Sequence, residues 1–408
     1  MKLTPKGMRD IGPSEMLVRE QVMGRIKNIF TSYGYRPLDT PAMEYLKTLR
    51  AKAGEDVDKQ IFVIDGNEYG LRFDLTVPLA RYAASADEPK PFKRYAIDNV
   101  WRKEEPQRGR FREFYQADAD IVGSASMRSE AELLSIARQI CIAFGFKKPR
   151  IMLNNRKILD ALAAKLGFED KKNDVFRILD KLDKIGEDEV EKLLKDLMGE
   201  KADQLLEIIR AEGDNKEKLA LAAQYSQEGA KELEEILSLC DFEIEVDLFL
   251  VRGLGYYTGP VYEVKLSDDI GTVIAGGRYD ELLGIYGQPA PATGISVGIE
   301  RLITLMLERE KSSKKTNTKV FVATASRDLY SDSAEIADKL RVQGIPCETD
   351  LNERNLRKQF DNVNSLSIPY VIVVGEREME SGQFTFRDMS TGKEEQLSLE
   401  KIVKKIKG

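Results

Sequence analysis

The spacing of apolar residues changes period several times along the chain, and each change predicts a different element. Residues 14–33, SEMLVREQVMGRIKNIFTSY, place Met16, Val18, Val22, Ile26 and Ile29 or Phe30 on one stripe. That spacing predicts an amphipathic helix with Gly34 near its stop. Residues 35–45, YRPLDTPAMEY, run extended across Pro37 and Pro41. Residues 58–82, DKQIFVIDGNEYGLRFDLTVPLARY, read as a hairpin turning at Asp65 and Gly66, with Arg72, Asp74 and Thr76 on one face of its second strand. A second hairpin enters through AIDNVW and turns at Pro106 and Gly109. It returns as RFREFYQADADIVG. Phe111, Glu113, Tyr115, Ala117 and Ala119 share one face of that strand, and Arg112, Phe114, Gln116, Asp118 and Asp120 share the other.

Residues 127–146 have helical spacing, with Leu133, Ile136, Ile140 and Ile142 among the apolar positions, and PRIMLNN at 149–155 is a short strand. From 156 to 239 the composition shifts to Lys, Glu, Leu, Ala and Asp, predicting several helices broken near Gly167, Gly186, Gly199 and Gly213. No heptad persists, so this is a helical insertion and not a coiled coil. β-Structure returns at 242–266 around VRGLGYYTG. GTVIAGGRYDELL is predicted as a strand ending in a Gly-Gly turn, and TGISVGIERLITLMLE as a strand running directly into a helix. The polar run 309–318 is a linker. Beyond it, KVFVATA and PYVIVVG are near-continuous apolar strands separated by two helices and a short strand at 346–348, a small α/β domain with a mainly parallel or mixed sheet.

Composition narrows the chemistry. The 408 residues, 42% hydrophobic and 32% charged, suit a soluble globular chain of two or three domains. A net charge of -6 excludes a generally basic nucleic-acid coat but leaves room for a local basic surface. No apolar run reaches the roughly 18 residues of a membrane helix, and the N-terminal segment lacks a signal peptide's apolar core, so a cytoplasmic location without membrane attachment is expected. Cys141, Cys240 and Cys347 form no CxxC pair, so no protein-bound zinc and no metal site is expected. The chain contains 0 histidines, which excludes histidine general acid–base catalysis and any Ser-His-Asp triad. Chemistry must run on arginine, lysine, carboxylates, hydroxyls and oxygen-bound Mg²⁺. A protein without histidine can also be translated while charged histidine tRNA is scarce; chance loss explains the count equally well.

On the second hairpin, one face carries a cation, an aromatic plane, an amide and carboxylates. Guanidinium suits phosphate oxygens, a flat ring suits a purine, and an amide beside a carboxylate suits a small polar ligand. The bland alternative is a charged, solvated hairpin. VRGLGYYTG is not a GxGxxG fingerprint and no βαβ unit surrounds it, leaving Arg252, Tyr256 and Tyr257 as candidate contacts. Arg301 lies in the first turns of the helix that follows GISVG, where it can reach a ligand over the sheet or serve as an ordinary surface arginine.

Taken together, the motifs resemble the histidyl-tRNA synthetase family of class II aminoacyl-tRNA synthetases. PKGMRDIGP resembles the family's opening, the segment around Pro41 its dimer-forming motif, WRKE…GRFREFYQADAD the second motif and GISVGIERL the third. LRFDLTVPLARY and VRGLGYYTG resemble its two histidine-specific segments. The resemblance implies an α+β fold: a six-stranded antiparallel sheet flanked by helices, a helical insertion and a C-terminal α/β anticodon-binding domain. It divides the chain into a catalytic domain at 1–155 and 240–308, an insertion at 156–239, a linker at 309–318 and an anticodon-binding domain at 319–408. It further implies a homodimer that activates L-histidine with ATP, Mg²⁺ accompanying the nucleotide, and transfers histidine to the 3′ end of tRNA(His).

Carried over by motif, Arg102 would hold the α-phosphate, Phe114 would stack on adenine, and Arg301 would cover the base's other face and neutralise the triphosphate. Glu104 and Arg110 would complete the ATP contacts. Arg252 would touch the α-phosphate and the histidine carboxylate, making Arg102, Arg252 and Arg301 the catalytic set. Asp74, Thr76 and Gln116 would bind the amino group, Asp120 and Tyr257 the imidazole nitrogens, with Tyr256 and Tyr279 closing the pocket. The chain departs from the family pattern in having Gly255 where Asp is usual, and Lys103 and Tyr115 where His is frequent. The rival from another class is a non-catalytic regulatory paralogue of ATP phosphoribosyltransferase, which lacks the anticodon domain; a third reading is a tRNA-binding module without catalysis.

Overall fold

The computed structural model describes residues 4–51, 55–251, 255–267, 270–309 and 315–408. The chain forms two compact units, one of Met1–Asp10 with Gln21–Arg309 and one of Ile11–Glu20 with Glu310–Gly408. The predicted first helix spans Pro13–Ser32, with proline at the first helical position, where its missing N–H costs nothing.

In the first unit, β1 (Arg36–Pro37) begins the large sheet, and β2 (Met43–Tyr45), β3 (Val63–Ile64) and β4 (Tyr69–Leu71) form a separate small one. The large sheet continues with β5 (Phe92–Trp101), β6 (Glu113–Val122), β7 (Arg150–Asn155), β8 (Glu245–Val246), β9 (Pro260–Lys265), β10 (Thr272–Arg278) and β11 (Ala292–Gly298). Its order is β1-β5-β6-β11-β10-β9-β7-β8. The six central strands are antiparallel throughout, as the resemblance implied. The sheet nonetheless has eight strands and not six, because the two-residue β1 and β8 add parallel to its outer edges. Pairs this short leave no periodicity to detect in the sequence. Helices Arg128–Ala143 and Ile299–Arg309 pack on one face, burying Leu133, Leu134, Ile136, Ile140, Leu302 and Ile303. Ile142 departs from the predicted stripe and is 39% exposed. The region 156–239 is wholly helical apart from short connections, and the predicted breaks at Gly167, Gly186, Gly199 and Gly213 all fall between helices.

Three local readings change. The first hairpin turns through one helical turn, Asp65–Glu68, and not through a two-residue turn. Its second strand stops at Leu71, and Thr76 opens the helix Thr76–Ala83, so Arg72, Asp74 and Thr76 share no strand face. Asp74 Oδ1 accepts the Val77 amide at 3.0 Å, a local bond that competes with the strand ladder and starts the helix. Finally, Gly276 and Gly277 lie inside β10 and make no turn. A Cβ on Gly276 would fall on the Gly294 carbonyl and 2.7 Å from the Tyr262 ring, so these glycines let three strands approach closely.

The second unit contains β12 (Val320–Thr324), β13 (Cys347–Thr349), β14 (Tyr370–Val374), β15 (Phe384–Asp388) and β16 (Glu394–Leu397) in the order β13-β12-β14-β15-β16. The first three are parallel and the last two antiparallel, so the sheet is mixed. The final hairpin and the helix Leu399–Lys407, which buries Ile402, are additions to the sequence reading. Among the described residues no helix is long and apolar enough to cross a membrane.

The Gly276 packing gives an expectation. Gly276→Ala should destabilise the protein by about 2 kcal/mol or more through overpacking against backbone. Urea unfolding measures it, and an unchanged midpoint would contradict the packing argument.

Candidate active site

The site begins with strand register. Counting outward from the Gln107–Arg110 bridge, β5 and β6 pair Trp101 with Glu113, Asp98 with Gln116, Ala96 with Asp118 and Arg94 with Asp120. On the other side of β6, β11 sets Gly298 against Gln116, Ser296 against Asp118 and Gly294 against Asp120. Next in line on β10, Ala275 pairs with Ser296 and Gly277 with Gly294. Gln116, Asp118 and Asp120 therefore stand on one face beside a floor of glycine, serine and alanine. A Cβ at Gly294 would overlap the Asp120 carboxylate, and one at Gly277 would come within 2.9 Å of the Tyr257 ring. Small residues here are a condition of the site.

Asp120 is pinned from two directions. Arg94 Nη2 lies 2.8 Å from its Oδ2, with the two side chains 1% and 2% exposed, and Tyr279 donates its hydroxyl to Oδ1 at 2.5 Å. Arg94 also donates to the Leu75 carbonyl at 2.8 Å, which ties the segment holding Asp74 and Thr76 over the same face. Asp74 accepts from Tyr256 at 3.4 Å, and Tyr256 also interacts with Thr76. Tyr256 packs against Tyr257 and Tyr279 with ring centroids 5.0 and 5.8 Å away. Gln116 donates to Ser296 Oγ at 2.8 Å.

Burial dominates the electrostatics. It raises Asp74 despite the Val77 amide and the Arg102 charge, and raises Asp120 despite Arg94 and Tyr279. Asp118 is pushed up to about 7 by burial and by neighbouring Asp120, with Arg94 opposing. The phenols of Tyr256 and Tyr279, raised by burial, stay protonated donors.

A second group gathers towards the open end of the hairpin. Arg102 donates to the Phe73 carbonyl at 2.9 Å, and its guanidinium lies 5.2 Å from the Phe114 ring centroid. Arg110 pairs with Glu104 at 3.5 Å. Arg301 donates to the Thr272 carbonyl, and its side chain passes beside Gly109. Arg252 lies outside the described residues. The structure thus brings Asp74, Thr76, Gln116, Asp120, Tyr256, Tyr257 and Tyr279 together, and sets Arg102, Glu104, Arg110, Phe114 and Arg301 along the hairpin. Arg72 does not join them, because its guanidinium is held by the Thr40 and Asn99 carbonyls and by Asp98 at 2.6 Å. Arg112 lies before β6 and donates to the Glu104 carbonyl at 2.9 Å.

The sequence reading missed Arg94 and Ser296 and gave Asp118 no role. Counting register outward from the turn would have found Arg94.

The raised Asp118 has a sign that can be checked. Between the ordinary 3.8 and about 7, the folded state holds a proton that the unfolded state has lost, so folding stability falls as pH rises through this window and levels above it. Asp118→Asn should therefore gain stability relative to the parent progressively across that range. Urea unfolding at several pH values tests this; a constant difference would refute it.

Comparison with known proteins follows the same outline. The family model for histidyl-tRNA synthetase matches residues 7–302, and that for an anticodon binding domain matches 319–408. The chain is 41% identical to the histidine–tRNA ligase of Aeropyrum pernix, across 98% of this chain and 97% of the relative. It is 37% identical to that of Porphyromonas gingivalis, with 96% of each covered. A crystal structure of histidyl-tRNA synthetase from Nostoc sp. PCC 7120 superposes with a TM-score of 0.85 at 29% identity, covering 100% of this chain and 99% of that one.

Proposed function

The chain belongs to the histidyl-tRNA synthetase family, and from that premise we propose how its residues carry the reaction. It is a histidine–tRNA ligase with ATP as a substrate. In the first step a carboxylate oxygen of histidine attacks the α-phosphorus of ATP, the bond to the β-phosphate oxygen breaks, and pyrophosphate leaves. In the second, the 3′-terminal hydroxyl of tRNA(His) attacks the activated carbonyl and AMP leaves.

The nucleophile of the first step is already ionised, so no protein base is required. Catalysis is positioning plus stabilisation of charge at phosphorus, which arginines supply without any histidine. Arg102 and Arg301, with Arg252, take that part. Phe114 stacks on adenine, and Glu104 and Arg110 complete the nucleotide's surroundings. Asp74, Thr76 and Gln116 take the ammonium, Asp120 and Tyr257 the imidazole, and Tyr256 and Tyr279 wall the pocket. The observation that carries this assignment is the buried row Gln116, Asp118, Asp120 beside a floor of small residues. It is a slot for a small, nitrogen-rich ligand, whose apolar analogues it would reject by about 10⁴ or more by leaving acceptors unpaired.

Mg²⁺ would arrive with the triphosphate, whose oxygens are the hard ligands this ion prefers. The division into catalytic domain (1–155 and 240–308), insertion (156–239), linker (309–318) and anticodon-binding domain (319–408) belongs to the same reading. So does a cytoplasmic homodimer. Met43 and Tyr45, 49% and 50% exposed on β2, offer an apolar face next to the Pro41 segment for a second subunit.

Histidine-dependent ATP–pyrophosphate exchange is the direct test. The parent should exchange with histidine alone, and Arg301→Ala or Arg252→Ala should lower the rate by about 10²–10³, the range for losing one preorganised charge-stabilising group. Parent-like exchange in either variant would remove that arginine from the mechanism.

A further inference from the structure

The turn of the second hairpin cannot hold its position through its own ladder. The Arg102 amide donates to the Arg112 carbonyl at 2.9 Å, and nearer the tip Gln107 and Arg110 exchange backbone bonds of 3.0 and 2.9 Å. Between those two pairings, residues 103–106 on one arm face Phe111 alone on the other. Arms this unequal interrupt the ladder. Glu104 and Arg110, both assigned above to ATP, stand at the interruption.

The segment laid against it is the opening motif PKGMRD, to which the reading above gives no task. Residues 5–10 and the hairpin belong to the same compact unit. The Gly7 carbonyl accepts the Arg112 amide at 2.8 Å, on the residue whose carbonyl receives the Arg102 amide. Arg9 lies over the Phe111 ring, 4.3 Å from its centroid, and Lys6 pairs with Glu105 at 2.8 Å. These contacts are unequal. Lys6 and Glu105 are 66% and 72% exposed, so solvent screens that pair and it contributes little. Gly7 has φ +81°, and a Cβ there would come within 2.6 Å of Arg112 Cγ and 2.8 Å of Pro106 Cγ. Glycine lets the two backbones meet. Arg112 is fixed in turn by donating to the Glu104 carbonyl at 2.9 Å.

We propose that residues 5–10 brace the hairpin turn, with Gly7 and Arg9 as positioning residues that act through Arg112 and Phe111 to set Arg102, Glu104 and Arg110 for ATP; this rests on the ATP-using reading above. The brace touches no substrate. Its effect is on placement, where small displacements of a binding group are costly.

Deuterium uptake of the full chain over residues 102–112, read by mass spectrometry, tests the contact without reference to activity. Pyrophosphate-exchange kinetics test its use. In Gly7→Ala, uptake there should quicken roughly tenfold and KM for ATP should rise by about as much, with KM for histidine within about twofold and Tm close to the parent's. Arg9→Ala should shift the same two quantities by roughly two- to fivefold, the range for an exposed cation over a ring. Parent-like uptake in both variants would overturn the brace. Faster uptake with KM for ATP unchanged would reduce it to a surface covering, and equal rises for both substrates with a lowered Tm would mark a general loss of folding; either result sinks the proposal. A parent without histidine-dependent exchange would overturn the activation reading instead, and the uptake comparison still judges the brace.

Discussion

The pair between Arg94 and Asp120 is the interaction on which the rest of the site depends. It crosses between adjacent strands with both charges out of water, so neither partner is dispensable. Removing one partner of a buried pair leaves an uncompensated charge, typically at about 3–5 kcal/mol. Here the stake is larger in kind, because the Arg94 charge also acts on Asp118, opposing the effect of burial, and Arg94 holds the Leu75 carbonyl. One guanidinium thus ties the two strands together across the face, moderates the repulsion among carboxylates and holds the segment that carries Asp74.

That arrangement needs room, and the room comes from strand interiors that propensity alone would disfavour. Glycine inside a strand gives up packing and conformational entropy. Gly294 and Gly277 nevertheless occupy β11 and β10, the two strands that follow β6 in the sheet order, where a methyl group would collide with Asp120 or with the Tyr257 ring. The antiparallel sheet supplies the rigidity these glycines withhold, since β11 is paired on both sides along its length. A pocket built on paired strands holds its acceptors more closely in place than one built on loops, which suits discrimination by hydrogen bonds.

How far the sequence disclosed this depends on what each residue's position rests on. Gln116, Asp118 and Asp120 were legible as one face because alternation along a strand is local. The helices were legible for the same reason, from the stripe through Ile26 to the run through Leu133 and Ile136. Thr76 was misplaced on a strand because the Asp74–Val77 bond, a matter of side-chain rotamer, decides where the helix begins. Gly276 and Gly277 were misread as a turn because turn and close-packing glycines look identical without their neighbours. Arg94 escaped because the hairpin's entering strand was read only from Ala96 to Trp101, so the register was not carried outward to the residue that faces Asp120. The edge strands β1 and β8 escaped because two residues carry no pattern. The motif resemblance reached Tyr279, which no local rule would have placed against Asp120.

The two groups of side chains obey opposite physical requirements. In the proposed reading, recognition of histidine calls for acceptors shielded from water, and Asp74, Asp118 and Asp120 are buried even though burial raises each of them towards neutrality. In the proposed reading, stabilisation of a phosphoryl transition state calls for planar, multidentate cations that fit phosphate oxygens, which the guanidinium groups of the half-buried Arg102 and Arg301 supply. Histidine would serve neither end well. Buried among carboxylates it would resemble the ligand those carboxylates select, and beside the phosphates it would hold its charge for only part of the physiological pH range. A chain with 0 histidines therefore loses nothing that activation of a carboxylate substrate requires, because the substrate brings its own ionised nucleophile and the protein contributes fixed charge and fixed acceptors.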